Sequence, residues 1–275
     1  NAVKKEPGIN VSFMDKTVKP NNDFFRFVNG TWLDKTEIPS DKTRWGSFDE
    51  LRQRTDADAL TILKEASKNP KYKSNTDQGK AINLFKTIMD TISRNKEGIT
   101  PLKPYLAKID AIKNSQDLQK LLIEMEPIGG IGFFGIGIGA DEKDSNKNTV
   151  SLGPGRLGLP DKDYYNSDEK DSKEKREKYV LHVAKMLQLI GDSPEKAKIS
   201  ADKILALEIA MSQPRLDRVE RRDSRKQYNP MSIADLQKKT PIINWQNYLT
   251  GVGLPKIDTI IVTQPRYMEA LQNIL

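Results

Sequence analysis

The chain has 275 residues, no cysteine and a single histidine, His182, so it holds no disulfide framework, thiol nucleophile, iron–sulfur cluster or zinc finger. One histidine also excludes the usual catalytic zinc site of two or three His ligands within this chain, and a Ser-His-Asp arrangement would have to be built around His182. The length corresponds to about two domains or one large one, and the formal net charge of +7, from 45 basic and 38 acidic residues, is well short of a nucleic-acid-binding signature.

The first twenty residues, with Pro7, Gly8 and Pro20, read as an extended lead-in. Asn21, Asn22 and Asp23 then offer helix N-caps, and Phe24, Phe27, Val28 and Leu33 predict a short helix interrupted or ended around Gly30. Residues 39–46 form a loop. From Phe48, the spacing of Leu51, Ala59, Ile62, Leu63 and Ala66 predicts a helix, stopped by Asn69-Pro70. A second strong helix is predicted over 76–94, with Ala81, Ile82, Phe85, Ile88, Met89 and Ile92 on one stripe. Shorter helices follow at 102–112 and 115–125.

Residues 129–141 alternate glycine with Ile and Phe and read as extended, with 149–152 as a pairing partner across a polar turn at 142–148. Helices are predicted at 168–190, where Tyr179, Val180, Val183, Leu187 and Ile190 share a face, and at 194–211. Short helices at 232–239 and 244–249, a β-branched run at 257–262 and a final helix from Pro265 complete the pattern. The expected fold class is mainly α with a small β element. The last helical pattern is uncapped and ends on Ile274 and Leu275, as expected of a polypeptide cut from something longer. The uncharged run 127–140 is too short for a membrane span of about 20 residues.

Three local motifs have plain explanations. Gly130, Gly132 and Gly135 match G-x-G-x-x-G, but no helix follows to present its N-terminus to a pyrophosphate; a glycine-rich strand approached closely by another backbone accounts for them better. Asp144, Asn146 and Asn148 begin like a calcium loop, yet Thr149 and Gly155 occupy the positions that need glycine and glutamate, which leaves a polar hairpin turn. Residues 215–226 mix six basic side chains with Asp217, Glu220 and Asp223, the pattern of a solvated or salt-bridged face. His182 has no second histidine or glutamate at helical spacing, and Glu208 reads as a partly buried group paired with an arginine.

Three separated segments carry a more specific signal. The first is Met14-Asp15 through Lys19-Pro20 and Asp23 to Gly30-Thr31-Trp32-Leu33, then Ile38-Pro39 and Arg44-Trp45-Gly46 with Phe48-Asp49-Glu50-Leu51. The second is Gly155 and Leu157-Gly158-Leu159-Pro160-Asp161, with Asp163-Tyr164-Tyr165; it reads as architectural, with glycine and proline shaping a turn, Asp161 capping the short helix that follows and the tyrosines packing. The third is Arg222-Asp223 and Tyr228-Asn229-Pro230-Met231-Ser232, followed by Trp245 and Tyr248-Leu249. In this order and spacing they resemble the N-terminal half of the neprilysin-like zinc metallopeptidases, over nearly the whole chain.

That resemblance implies a two-lobed, mostly helical fold enclosing a water-filled chamber, in an exported or membrane-anchored endopeptidase. Residues 1–72 would contribute to the catalytic lobe and the rim of the substrate site, and 73–275 to a mostly helical second lobe. The family's H-E-x-x-H and downstream E-x-x-x-D motifs are absent here. Zinc is therefore expected in the full-length parent and not in this chain, which should be inactive alone. The expected partners are peptide substrates and the parent's own C-terminal catalytic half, with no nucleic acid. Membrane contact would come only through an N-terminal anchor outside this sequence. The animal members carry cysteines near the first motif; their absence here fits a bacterial, periplasmic or cell-envelope version.

The resemblance also implies substrate-binding residues. Arg44 occupies the place of the arginine that binds the substrate's carboxylate end, a task suited to a bidentate guanidinium. Phe48, Asp49 and Arg52 would line the same side of the cleft, with Phe48 and Arg52 one helical turn apart. On the residues alone, an i,i+3 ion pair between Asp49 and Arg52 accounts for those two equally well. A rival of another class is a free-standing helical binding module for an anionic or protein partner. A hydrolase built on His182 has no partner residues near it in sequence.

Overall fold

A computed structural model describes residues 8–42, 44–130 and 132–275; the first seven residues of the expected lead-in, position 43 of the expected loop 39–46 and position 131 of the expected extended segment 129–141 lie outside them. The chain divides between Lys96 and Glu97 into two compact units. The break expected at 72/73 concerned the lobes served rather than compactness.

In the first unit, α1 (Phe24–Lys35) begins at Asp23, whose side chain accepts the Arg26 N–H. The helix runs through Gly30 instead of ending there. Asp15 packs against that turn so closely that a Cβ on Gly30 would lie 2.5 Å from the Asp15 Cβ; glycine here serves close approach rather than termination. α2 (Ser47–Ala66) follows the extended Gly46 and places Asp49 and Glu50 in its first turn, where they offset the helix dipole. The helix expected over 76–94 is two: α3 (Asp77–Met89) and α4 (Thr91–Glu97). Asp90 separates them because its carboxylate takes the Ser93 N–H at 2.9 Å, a local bond that competes with helix continuation. Of the predicted stripe only Ile82 is buried, and Ile88, Met89 and Ile92 are exposed.

The second unit starts with α5 (Lys103–Asp110) and α6 (Ser115–Met125), the latter capped by Asn114. The hairpin of β1 (Phe134–Ala140) and β2 (Asn148–Pro154) forms as expected, joined through a polar turn in which the Lys147 N–H reaches the Asp144 carbonyl. Backbone crowding explains Gly155, where a Cβ would stand 1.9 Å from the Gly132 carbonyl oxygen. The close approach expected at the G-x-G-x-x-G run is corrected: a Cβ on Gly132 or Gly135 would have nothing within 4 Å, and Gly130 and Gly132 precede the strand with φ of 67° and 52°, the left-handed region that favours glycine. After α7 (Asp163–Asn166), α8 (Lys170–Leu189) and α9 (Pro194–Ser212) form an antiparallel-type pair around Ala184, Ala197 and Ala201, with Val180, Val183 and Leu187 packed against them.

The remaining elements are α10 (Ser224–Gln227), β3 (Pro230–Ser232), α11 (Ile233–Lys239), α12 (Trp245–Gly251), β4 (Thr259–Val262) and α13 (Pro265–Ile274). The sheet order is β1-β2-β4-β3. β1 and β2 are antiparallel, β2 and β4 parallel, and β3 returns antiparallel to β4 with Met231 opposite Ile260. The parallel contact needs the long crossover that α7 to α12 supply.

One face of this sheet carries the core, where Leu152, Leu236, Ile243, Ile260, Val262, Met268 and Leu271 are fully buried. Phe134 packs between Trp245 and Tyr248 with ring centroids 5.1 Å from each. Such aromatic pairs add about 0.5–1.5 kcal/mol beyond their burial. The architecture is mainly helical with one small sheet, as the sequence pattern predicts. Among the described residues no helix is long and apolar enough to cross a membrane.

Candidate substrate-site rim

Trp32 and Glu50 set the geometry of the first segment. The Trp32 indole N–H donates to Glu50 Oε1 at 3.1 Å, tying α1 to the first turn of α2, and the Phe13 ring lies 6.4 Å from the Trp32 ring. The start of α2 is thereby held against α1 by a side chain that leaves its other positions free. Arg44 lies two residues before the helix N-cap and is exposed. Phe48 is 85% exposed, Asp49 half-buried and Arg52 exposed.

Phe48 and Arg52 are one turn apart on α2. Among the described residues no ion pair joins Asp49 to Arg52, and none engages Arg44. This stretch thus exposes the Arg44 and Arg52 guanidinium groups and the Phe48 ring to water. A guanidinium offers a planar fork of donors matched to a carboxylate, and an exposed phenylalanine gains by burying its ring against an apolar ligand group.

The second segment is architectural. The Glu208 carboxylate of α9 accepts the Gly158 N–H and the Tyr165 hydroxyl, both at 2.9 Å, and Tyr165 Oη accepts the Leu159 N–H at 2.7 Å. Burial first, and then the neighbouring Glu208, push the Tyr165 and Tyr179 phenols well above their ordinary range. The expectation that Glu208 pairs with an arginine is corrected: two tyrosines and a backbone amide surround it. Asp161 does not cap α7 either. Its Oδ2 takes Arg218 Nε at 3.0 Å and Arg221 Nη2 at 2.6 Å. Burial by itself would raise the Asp161 carboxyl, but these two bonds outweigh it and hold the group below its ordinary value.

The third segment closes the sheet. The Tyr228 hydroxyl donates to Asp141, Asn229 Nδ2 donates to the Val262 carbonyl at 3.0 Å, and Ser232 caps α11 through the Asp235 N–H. The basic run 215–226 is the salt-bridged face that its mixed signs predict, with pairs Arg225–Asp223 and Lys226–Glu220. Its pairing with Asp161 spans about sixty residues, so local spacing carries no signal for it.

Among the described residues no group of three or more His, Cys, Asp or Glu side chains could hold a metal ion. His182 is exposed on α8. The described residues do not fit a zinc site.

A family model for the N-terminal part of peptidase family M13 matches residues 20–275. An endothelin-converting enzyme homolog of Locusta migratoria is 26% identical over 96% of this chain and 38% of its own length. Human endothelin-converting enzyme 1 is 26% identical over 96% of this chain and 35% of its own length. Among solved structures, the Mycobacterium tuberculosis zinc metalloprotease Zmp1 in complex with an inhibitor superposes with a TM-score of 0.89 at 29% identity, covering 97% of this chain and 41% of that one. PepO of Lactobacillus rhamnosus shares the fold, with a TM-score of 0.77 at 19% identity. The chain spans little more than a third of the length of the curated relatives it matches. It belongs to peptidase family M13.

Proposed function

We propose that this chain is the N-terminal portion of an exported zinc metalloendopeptidase, bacterial and of the periplasm or cell envelope, and that it contributes substrate binding rather than bond cleavage. Residues 1–72 serve the catalytic lobe and the rim of the substrate site, and 73–275 the second lobe. Arg44 receives the carboxylate end of the peptide, and Phe48, Asp49 and Arg52 line the same side of the cleft on the first turns of α2. The observation that supports this reading is the family match over residues 20–275; Arg44, Phe48 and Arg52 lie exposed within that range on one short stretch, with Asp49 half-buried among them. The parent's C-terminal catalytic half is the natural cover for the apolar surface of the first unit, where Phe24, Phe25, Phe48, Ile62 and Ile92 are more than half exposed. Zinc belongs to that half, and no step of the hydrolysis is assigned to residues of this chain.

The test is Arg44→Ala in the complete enzyme. Loss of a charged hydrogen-bonding pair of about 1.5–3 kcal/mol lowers kcat/KM roughly ten- to hundredfold on peptides with a free carboxylate near the scissile bond. Peptides amidated at that end should lose little. Equal losses on both would assign Arg44 to structure, and a parent gene without H-E-x-x-H would remove the peptidase reading altogether.

A further inference from the structure

The loop 154–162 and the segment 215–221 wall a cavity of about 380 Å³ in the second unit, whose charged lining is Arg156, Lys162, Arg215, Arg221 and Asp161. That volume lies at the lower end of the range of about 300–1,000 Å³ for small-ligand sites. Four cationic side chains face one carboxylate. Asp161, with its side chain only 8% exposed, is committed to Arg218 and Arg221 through Oδ2, while its Oδ1 is buried without a partner.

Among the described residues no ion pair joins Arg156, Lys162 or Arg215 to a carboxylate; the Lys162 charge acts at a distance on Asp217. Lys162 Nζ donates to the Arg215 carbonyl at 2.5 Å, and Arg215 Nε to the Met211 carbonyl at 3.0 Å. Arg215 Nη2 is a buried donor with no acceptor. Arg156 is exposed and, among the described residues, makes no ion pair or side-chain hydrogen bond. The arrangement differs from the rest of the basic segment, where Arg225 and Lys226 each have a carboxylate within reach. Like charges converging on one cavity repel, more strongly where burial lowers the effective dielectric, and an anion held among them by Arg156, Lys162 and Arg215 would offset that repulsion. A buried donor such as Arg215 Nη2 gains by meeting an acceptor.

We propose that this cavity binds a compact oxyanion, a phosphate or carboxylate group, with Arg156 as the entering clamp and Lys162 and Arg215 as the inner wall. Arginine forks such a group through two parallel N–H bonds, and the Lys162 ammonium has further donors beyond the one it gives the Arg215 carbonyl.

The test is titration calorimetry of the 275-residue chain with inorganic phosphate at fixed ionic strength. Arg156→Gln is the probe, because its exposed side chain has no structural partner, and Arg222→Gln, exposed on the same basic segment but outside the cavity, is the control. The expected result is saturable binding at one site, weakened about tenfold or more by Arg156→Gln and unchanged by Arg222→Gln, with both variants melting like the parent chain in phosphate-free buffer. Absence of saturable binding, or equal weakening in the two variants, would overturn the proposal in favour of diffuse surface charge. Competition separates the sources. Displacement of phosphate by a short peptide with a free C-terminal carboxylate, but not by its amide, identifies a peptide carboxylate as the occupant. No displacement by either identifies the free oxyanion.

Discussion

Removing the Glu208 carboxylate tests how the 155–165 loop is held. Glu208→Ala leaves the Gly158 N–H and the Tyr165 hydroxyl without their acceptor. A hydrogen bond to a charged group contributes about 1.5–3 kcal/mol. Gly158 is exposed, so water replaces much of its share, whereas Tyr165 is 4% exposed and keeps little access to solvent. The expected cost is therefore about 2–4 kcal/mol, a large part of the ordinary stability of a domain. With an unfolding entropy near 2.1 cal/mol/K per residue, the unit 97–275 should melt about 5–10 °C lower. Circular dichroism melts of Glu208→Ala, Tyr165→Phe and the double variant form the assay. Because both singles remove one shared bond, the double should cost at least about 0.5 kcal/mol less than their sum. Strict additivity, or a Glu208→Ala cost below about 0.5 kcal/mol, would refute the clamp.

Two further outcomes follow from the same coordinates. Glycine to alanine inside a helix normally stabilises by up to about 1 kcal/mol, but at Gly79 in α3 the new Cβ would stand 1.9 Å from the Lys73 carbonyl oxygen. Gly79→Ala should instead destabilise the first unit by about 1–3 kcal/mol, and a raised urea midpoint would contradict the packing. The second concerns pH. A carboxyl held below its unfolded value contributes stability that is present above the unfolded value, here 3.8, and is lost as pH falls through the folded one. Asp161→Asn should therefore lower urea midpoints at pH 6 and narrow the gap to the parent chain as both are acidified below about pH 4; a gap that stays constant to pH 2 would show that Arg218 and Arg221 do not set the Asp161 ionisation.

What the sequence discloses is periodicity and local chemistry. The stripe at Val180, Val183 and Leu187 predicts α8 to within two residues at its N-terminus and one at its C-terminus, and Asn114, Ser193, Ser232 and Asn244 cap the helices that follow them. These signals act within one turn. The contacts that position the second motif act between residues far apart in the chain: Asp161 with Arg218 and Arg221, and Gly158 and Tyr165 with Glu208. A carboxylate's local neighbours say nothing of which distant donor reaches it, which is why Asp161 reads as a cap and Glu208 as an arginine partner. For the stretch 44–52, periodicity puts Phe48 and Arg52 on one face of α2; the role of that face comes from the family resemblance.

Amphipathic patterning fixes which face of a helix is apolar, not whether anything covers it. In the second unit the pattern and burial coincide, because α11, α12 and α13 close over the sheet and leave Leu236, Leu249 and Leu271 with no exposure. In the first unit they part: the same 3.6-residue signal that predicts α3 and α4 leaves Ile88 and Met89 each 55% exposed and Ile92 82% exposed. Each such side chain forgoes roughly 1.5–3 kcal/mol of burial when it stays in water. Helices this short draw most of their stability from tertiary packing rather than propensity. The exposed stripe and the exposed residues Arg44 and Phe48 therefore describe one surface property, a unit whose sequence is written for contacts beyond its own core. In the second unit the same patterning is answered within the unit, where the cluster around Trp245, Tyr267 and Leu271 buries its apolar faces.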